Sequence, residues 1–331
     1  MPGTVYRGSM NPATDSLDRG SSGSAQPPDR GTAPALITMS GVSKSYGSTL
    51  ALADFDITVT SGEIIGLLGE NGAGKTTAMR TLLGYLFADA GEVSVGGGSP
   101  LDPDIRSRVG YLPGDFRLGS RQKVRDVLAA YNRLRGGQCG PRIGALADAL
   151  DLELDRRFLQ LSKGNRQKVG VVQALMHDPD VLVLDEPTSG LDPIAQRTVL
   201  TLVDARRDAG AAVLFSSHIL SEVEDIADSV VILRQGRIVA EGTTAELSAR
   251  ALQTIDVVLA TAPDEPVQAA LAGLTDIQVT SLEGHKLSLS VVGSAAEALR
   301  ILAPLGIVRI DTGRHDLDDV FYGYYSGGAT S

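Results

Sequence analysis

The chain is 331 residues long, carries 40 acidic against 30 basic side chains for a formal net charge of -10, and is 43% hydrophobic and 21% charged. Such a composition describes a globular chain with apolar surface for a substantial core and length for about two domains. It argues against nucleic acid as a general partner, which needs a concentrated basic surface, and no apolar run reaches the roughly 20 residues of a membrane-spanning helix.

The opening M-P-G-T-V-Y-R-G-S-M-N-P lacks the charged start and apolar centre of a signal peptide, so a cytosolic chain is expected. Residues 1–34 are rich in Gly, Ser, Pro and Asp and read as a disordered tail. Alternating apolar residues from Leu36 to Met39, Val42 to Gly47 and Ala53 to Val59 suit a half-exposed sheet. Tyr46, just before a turn glycine, is either a base-stacking aromatic or a partly exposed sheet tyrosine.

The most informative stretch follows, E-I-I-G-L-L-G-E-N-G-A-G-K-T-T-A-M-R-T-L-L from Glu63 to Leu83. A short buried strand, Ile64 to Leu68, runs into a glycine loop, and Met79, Leu82 and Leu83 continue at helical spacing. This is G-x-x-x-x-G-K-[ST] between a strand and a helix, the setting its chemistry requires. Backbone N–H groups of Asn71, Gly72, Ala73 and Gly74, with the positive end of the next helix, can point at phosphate oxygens. Lys75 brings a cation for the outer phosphates, Thr76 a hydroxyl for Mg²⁺, and Thr77 a contact to an inner phosphate.

Val93 to Val95 and Val109 to Leu112 read as further strands. Val124, Val127, Leu128, Tyr131 and Leu134 share one helical face, as do Ile143, Leu146 and Leu150 after a break at Gly136 to Pro141. Cys139 stands alone, so neither an internal disulfide nor a thiolate metal cluster can form. A helix from near Gly164 to about Met176 carries Arg166 and Lys168 near its start, where either an anion docks or solvated charges sit. The continuous apolar strand Val181 to Leu184 ends in Asp185, Glu186 and Pro187. Carboxylates at that end of a buried strand lie where open α/β sheets place their chemistry: Asp185 to support Mg²⁺ beside Thr76, Glu186 to polarise water. A structural acidic pair is the competing reading. Ser189 to Asp192 forms a turn, Ile194 starts a helix, and Ala211 to Phe215 is a strand ending at Ser216, Ser217 and His218. His218 thus reaches the same sheet edge, as a phosphate contact or a structural histidine.

Val230 to Leu233 and Ile238 to Ala240 close the sheet domain. Beyond Glu246 the pattern becomes β-α-β-β-α-β over Thr254 to Asp311, the order of ferredoxin-like folds. His285 and His315 have no companions at metal-ligand spacing there, and regulation, dimerisation and stabilisation are all open roles.

Taken together, Leu36 to Gly242 resembles the nucleotide-binding subunits of ABC transporters. Gly69 to Thr76 matches the Walker A loop, Val181 to Asp185 the Walker B strand with Glu186 as catalytic carboxylate, and Tyr46 the adenine-stacking aromatic. Leu161-Ser-Lys-Gly-Asn165 is similar to the signature L-S-G-G-Q, Ser189 to Asp192 to the D-loop and His218 to the switch histidine. The resemblance implies an α/β P-loop NTPase of the ABC type over 35–246, with an antiparallel β subdomain, a helical subdomain at about 115–178, and a C-terminal α+β accessory domain at 250–325. It adds Ser162, Gly164 and Asp192 to the nucleotide contacts, and ATP and Mg²⁺ as ligands. Two departures stand out: Lys163 and Asn165 replace Gly and Gln in the signature, and Gly114 stands where many relatives carry the Q-loop glutamine. Asp115 or a water is a candidate substitute.

The wording L-S-K-G-N-R-Q-K-V, G-Y-L-P-G-D and H-D-L-D-D-V-F-Y-G-Y-Y is similar to stand-alone ATPase subunits of bacterial drug-resistance-type exporters. That implies a homodimer, with each nucleotide between Lys75 of one copy and Ser162 of the other, working under a separately encoded membrane permease at the cytoplasmic face. A soluble ABC ATPase acting on ribosomes or DNA, and a weakly hydrolysing regulatory subunit, are the alternatives.

Overall fold

The computed structural model describes residues 33–249, 252–292 and 294–312; the tail of 1–32, and the closing H-D-L-D-D-V-F-Y-G-Y-Y with His315, lie outside them. β1 (Ala35–Tyr46) and β2 (Thr49–Thr60) form a long antiparallel hairpin. The two apolar segments read from sequence on either side of Gly41 are one strand, because a register shift between Met39 and Val42 lets the ladder continue past Gly41 at φ 59. β3 (Ile64–Leu68) leads to α1 (Lys75–Leu82), and β4 (Ala90–Val95) returns to pair with β1.

α2 (Pro103–Ser107), β5 (Val109–Leu112), α3 (Val124–Leu134), α4 (Gly140–Ala149) and α5 (Lys163–Leu175) follow. After them come β6 (Val181–Asp185), α6 (Pro193–Asp208), β7 (Ala212–Ser217), α7 (Leu220–Ile226), β8 (Ser229–Arg234), β9 (Arg237–Gly242) and α8 (Thr244–Ala249). The main sheet has the order β5-β6-β7-β3-β8-β9, parallel except for β9. β3, β6 and β7 are buried throughout, as strands covered on both faces must be. Their side chains alternate between two cores. Leu182, Leu184, Val213 and Phe215 join the core with α3 to α7, and Val181, Val183, Ala212 and Leu214 join the one with α1 and the antiparallel sheet.

In α3 the helical spacing holds for Val124, Val127 and Leu128, which are buried, but Leu134 is 83% exposed. Its turn outruns the core, and it borders a surface groove with Leu118, Ala130 and Tyr131 instead. Behind α5, His177 Nε2 lies 3.2 Å from the Val109 carbonyl of β5. A carbonyl only accepts, so Nε2 carries the proton, and the buried Nδ1 has no partner among the described residues. Burial first, then Arg135 and less so Arg206, against the Val109 bond and Asp178, pushes the imidazole pKa down to about 4. The folded value is below the ordinary 6.5, so this group's stabilisation is complete above pH 6.5 and is lost as pH falls toward 4. The thermal midpoint is therefore expected to fall less steeply from pH 6.5 to 4 in His177→Gln than in the unaltered chain.

The remaining described α-helices and strands are β10 (Leu252–Leu259), α9 (Glu265–Ala272), β11 (Ile277–Glu283), β12 (Lys286–Val292), α10 (Ala296–Leu302) and β13 (Ile307–Thr312). They form an antiparallel sheet of order β11-β12-β10-β13. Ile255, Val257, Leu287, Leu289, Leu271 and Leu302 give it a core of its own.

Candidate functional site

The loop between β3 and α1 is shaped by one glycine above all. Gly74 caps α1 at φ 115, and a Cβ there would stand 2.6 Å from the Ala51 carbonyl of β2. No other residue fits both constraints. Asn71, Gly72, Gly74, Lys75, Thr76 and Thr77 line a cavity of about 150 Å³ over the start of α1, with Glu186 facing them. Ala73 is buried beneath, its carbonyl accepting from Gly236 N–H at 2.8 Å. Lys75 is 6% exposed and donates to the Gly69 carbonyl and, at 3.4 Å, to that of Glu70. Burial pulls its ammonium below the ordinary lysine range, while Glu186 and then Asp185 act in the opposite sense.

Asp185 and Glu186 are adjacent in sequence but differently employed. Asp185 Oδ2 accepts from Thr76 Oγ1 at 2.8 Å and Oδ1 from Ser216 Oγ at 2.6 Å. The β6–β7 register sets Asp185 opposite Ser216, which makes the second bond possible. Glu186 then turns to φ 48, a left-handed conformation that costs a non-glycine residue about 1–3 kcal/mol. Its N–H donates to Ser216 Oγ at 3.0 Å, and its Oε1 lies 3.2 Å from His218 Nδ1. His218 is half-exposed beyond the end of β7, so three strand ends deliver Lys75, the two carboxylates and this histidine to one edge.

Ser162, Gly164 and Asp192 do not line that cavity. Ser162 caps α5, its Oγ accepting from Asn165 N–H at 3.2 Å. Asp192 caps α6, accepting from Ile194 and Ala195 N–H at 3.0 Å each with Pro193 at the first helical position, and the Ala195 bond foremost holds its carboxyl below the usual range. Tyr46 is 50% exposed at the end of β1 and also outside the cavity lining. Asp115, the candidate for the missing Q-loop function, pairs with Arg117 at 2.7 Å and lines a different cavity.

Other residues at the site escaped the sequence reading. Ser216 holds both Asp185 and Glu186, visible only once β6 and β7 are known to be neighbours. Gln167, 2% exposed in α5, donates to the Glu186 carbonyl at 3.0 Å and the Pro187 carbonyl at 3.2 Å. Lys163, noted only as a departure from a motif, donates to Ser189 Oγ at 2.9 Å.

The ABC transporter family matches residues 52–189. Among curated relatives, the chain is 32% identical over 293 residues to the ABC transporter ATP-binding protein YhaQ of Bacillus subtilis, covering 86% of this chain and 97% of the relative. The daunorubicin resistance ATP-binding protein DrrA3 of Streptomyces coeruleorubidus is 35% identical over 304 residues, with 87% and 95% covered. For the Nod factor export ATP-binding protein I of Paraburkholderia xenovorans the match is 34% over 267 residues, with 78% and 86% covered. A solved ATP-binding subunit of an ABC transporter superposes with a TM-score of 0.61 at 30% identity, over 64% of this chain and 91% of that one. Sequence likeness along nearly all of several relatives thus agrees with a phosphate loop facing strand-end carboxylates, and the chain belongs to the family of ABC transporter ATP-binding proteins.

Proposed function

We propose that this chain hydrolyses ATP at the cavity above α1 and, as a homodimer beneath a separately encoded membrane permease, powers export of drugs or other hydrophobic compounds. The observation that carries hydrolysis is the division of labour at the end of β6: Asp185 is bonded to Thr76, while Glu186 faces the phosphate loop and is bonded to His218. The oxygens of Thr76 and Asp185 suit Mg²⁺, which binds through one or two protein groups besides phosphates and, when bound, offsets phosphate charge. Lys75 would hold the outer phosphates, and Glu186, oriented by His218, would take the proton of the attacking water.

The dimer is proposed because Ser162, Gly164 and Asp192 do not line the cavity. They lie elsewhere on the chain, where a head-to-tail copy would bring them to the nucleotide. We assign the seat of the permease to a cavity of about 480 Å³ lined by Leu83, Tyr85, Tyr111, Phe116, Leu118 and Tyr131, and read the subunit as peripheral on the cytoplasmic face. Export is supported by the names of the daunorubicin resistance and Nod factor export relatives. We read 252–312 as belonging to a ferredoxin-like accessory domain on its strand order.

The test is phosphate release by the purified chain, alone and co-expressed with a candidate permease from an adjacent reading frame. Co-elution from detergent with permease-stimulated turnover is expected. Absence of turnover in both forms, or co-elution with ribosomes or DNA in place of a membrane protein, would overturn the reading.

A further inference from the structure

We infer that Gln167 is a positioning residue that holds Glu186 in its working conformation, an inference resting on the assignment of Glu186 as the hydrolytic base. Glu186 leaves a buried strand and turns at once to positive φ. Glutamate has neither glycine's freedom nor the short polar side chain that lets Asn and Asp stabilise that conformation themselves. Something outside the residue must keep it there.

The structure ties down both of its peptide groups. On the N-terminal side its N–H is bonded to Ser216 Oγ at 3.0 Å and to the Ser216 carbonyl at 3.2 Å. On the C-terminal side its carbonyl and that of Pro187 accept from the Gln167 Nε2 group, at 3.0 and 3.2 Å. A planar amide NH₂ has two hydrogens in fixed directions, which suits two consecutive carbonyls. Gln167 is 2% exposed, so water cannot replace those donors, and an orphaned carbonyl there would have to move.

The rest of α5 grips the same loop. Lys163 is bonded to Ser189 Oγ, its side chain lies over Gly190, and Gly164 packs so closely that a Cβ would sit 2.5 Å from the Gly190 carbonyl. The loop from Glu186 to Gly190 is therefore moored to the first turns of one helix. Gln167 is the mooring at the reactive end. Loosened, Glu186 relaxes toward ordinary φ and carries its carboxylate off the phosphate loop and off His218. Nucleotide binding through Asn71 to Thr77 is untouched, since none of those residues bonds to Gln167.

Gln167→Met keeps length and removes the donors; Gln167→Glu keeps shape and sets acceptors against the carbonyls. Each is assayed for Mg-ATP turnover in the full chain with its permease, normalised to the fraction that binds a fluorescent ATP analogue, so that misfolded protein does not count. Both are expected to lower kcat about 10- to 100-fold, the cost of a misplaced reacting group, with KM within about threefold. In an E186Q background, Q167M is expected to cause no further loss, because the two act through one carboxylate. Wild-type kcat in Q167M or Q167E, with E186Q inactive, would overturn the role of Gln167 alone. So would the same fold-loss from Q167M in both backgrounds. Normal turnover in E186Q would instead remove the base and this inference together. Should Q167M not fold, Q167E decides by the same criteria.

Discussion

Glu186→Gln is expected to lower kcat by about 100- to 10,000-fold while leaving ATP affinity within about threefold of the unaltered chain, the range a positioned general base contributes. The amide occupies the carboxylate's volume and can keep the contact to His218, 3.2 Å away, but it cannot accept a proton from water. The hydrogen bonds to Ser216 Oγ and Gln167 Nε2 use only the backbone N–H and carbonyl of residue 186, so the turn at φ 48 should survive the change. If the chain works as the proposed head-to-tail dimer with nucleotide between the copies, a variant that binds nucleotide and does not consume it should remain dimeric. Phosphate release gives the first number and size-exclusion chromatography with ATP the second. Turnover within about twofold of the unaltered chain would remove Glu186 from the chemistry.

The second large effect is on binding. Lys75→Ala is expected to weaken ATP affinity about 10- to 150-fold, since each hydrogen bond to a charged group contributes about 1.5–3 kcal/mol. Lys75 is almost fully buried, and its ammonium donates to the backbone carbonyls of Gly69 and Glu70 in its own loop. Its lowered pKa shows what burial costs the cation. Removing it relieves that cost, so the thermal midpoint without nucleotide should hold while the upward shift caused by a fixed ATP concentration shrinks. Titration and melting curves with and without nucleotide separate the two effects. Unchanged affinity would take Lys75 out of the site.

What was legible in the sequence was what is local in it. The phosphate loop is continuous from Ile64 to Thr77, and the constraint on Gly74 is of the kind a motif records. Strand ends at Asp185 and His218 were readable from their apolar runs. That β6, β7 and β3 are neighbours was not, because the sheet order skips through the chain, and Ser216 became visible only through it. Gln167 was hidden for another reason. It sits in a helix whose spacing speaks of burial alone, and nothing in the residue types at 186 and 187 announces carbonyls in need of a donor. Leu134 shows the opposite failure, where periodicity continued past the end of the core that gave it meaning. The turn at Glu186 was beyond reach too, since glutamate is not a residue that signals positive φ.

The strands at the centre of the molecule send successive side chains into two separate interiors. They act as a party wall between two rooms, with no outward position where a polar residue would go unnoticed. Voids opened on opposite sides should therefore destabilise independently and sum, whereas two on one side should interact as neighbours share the slack.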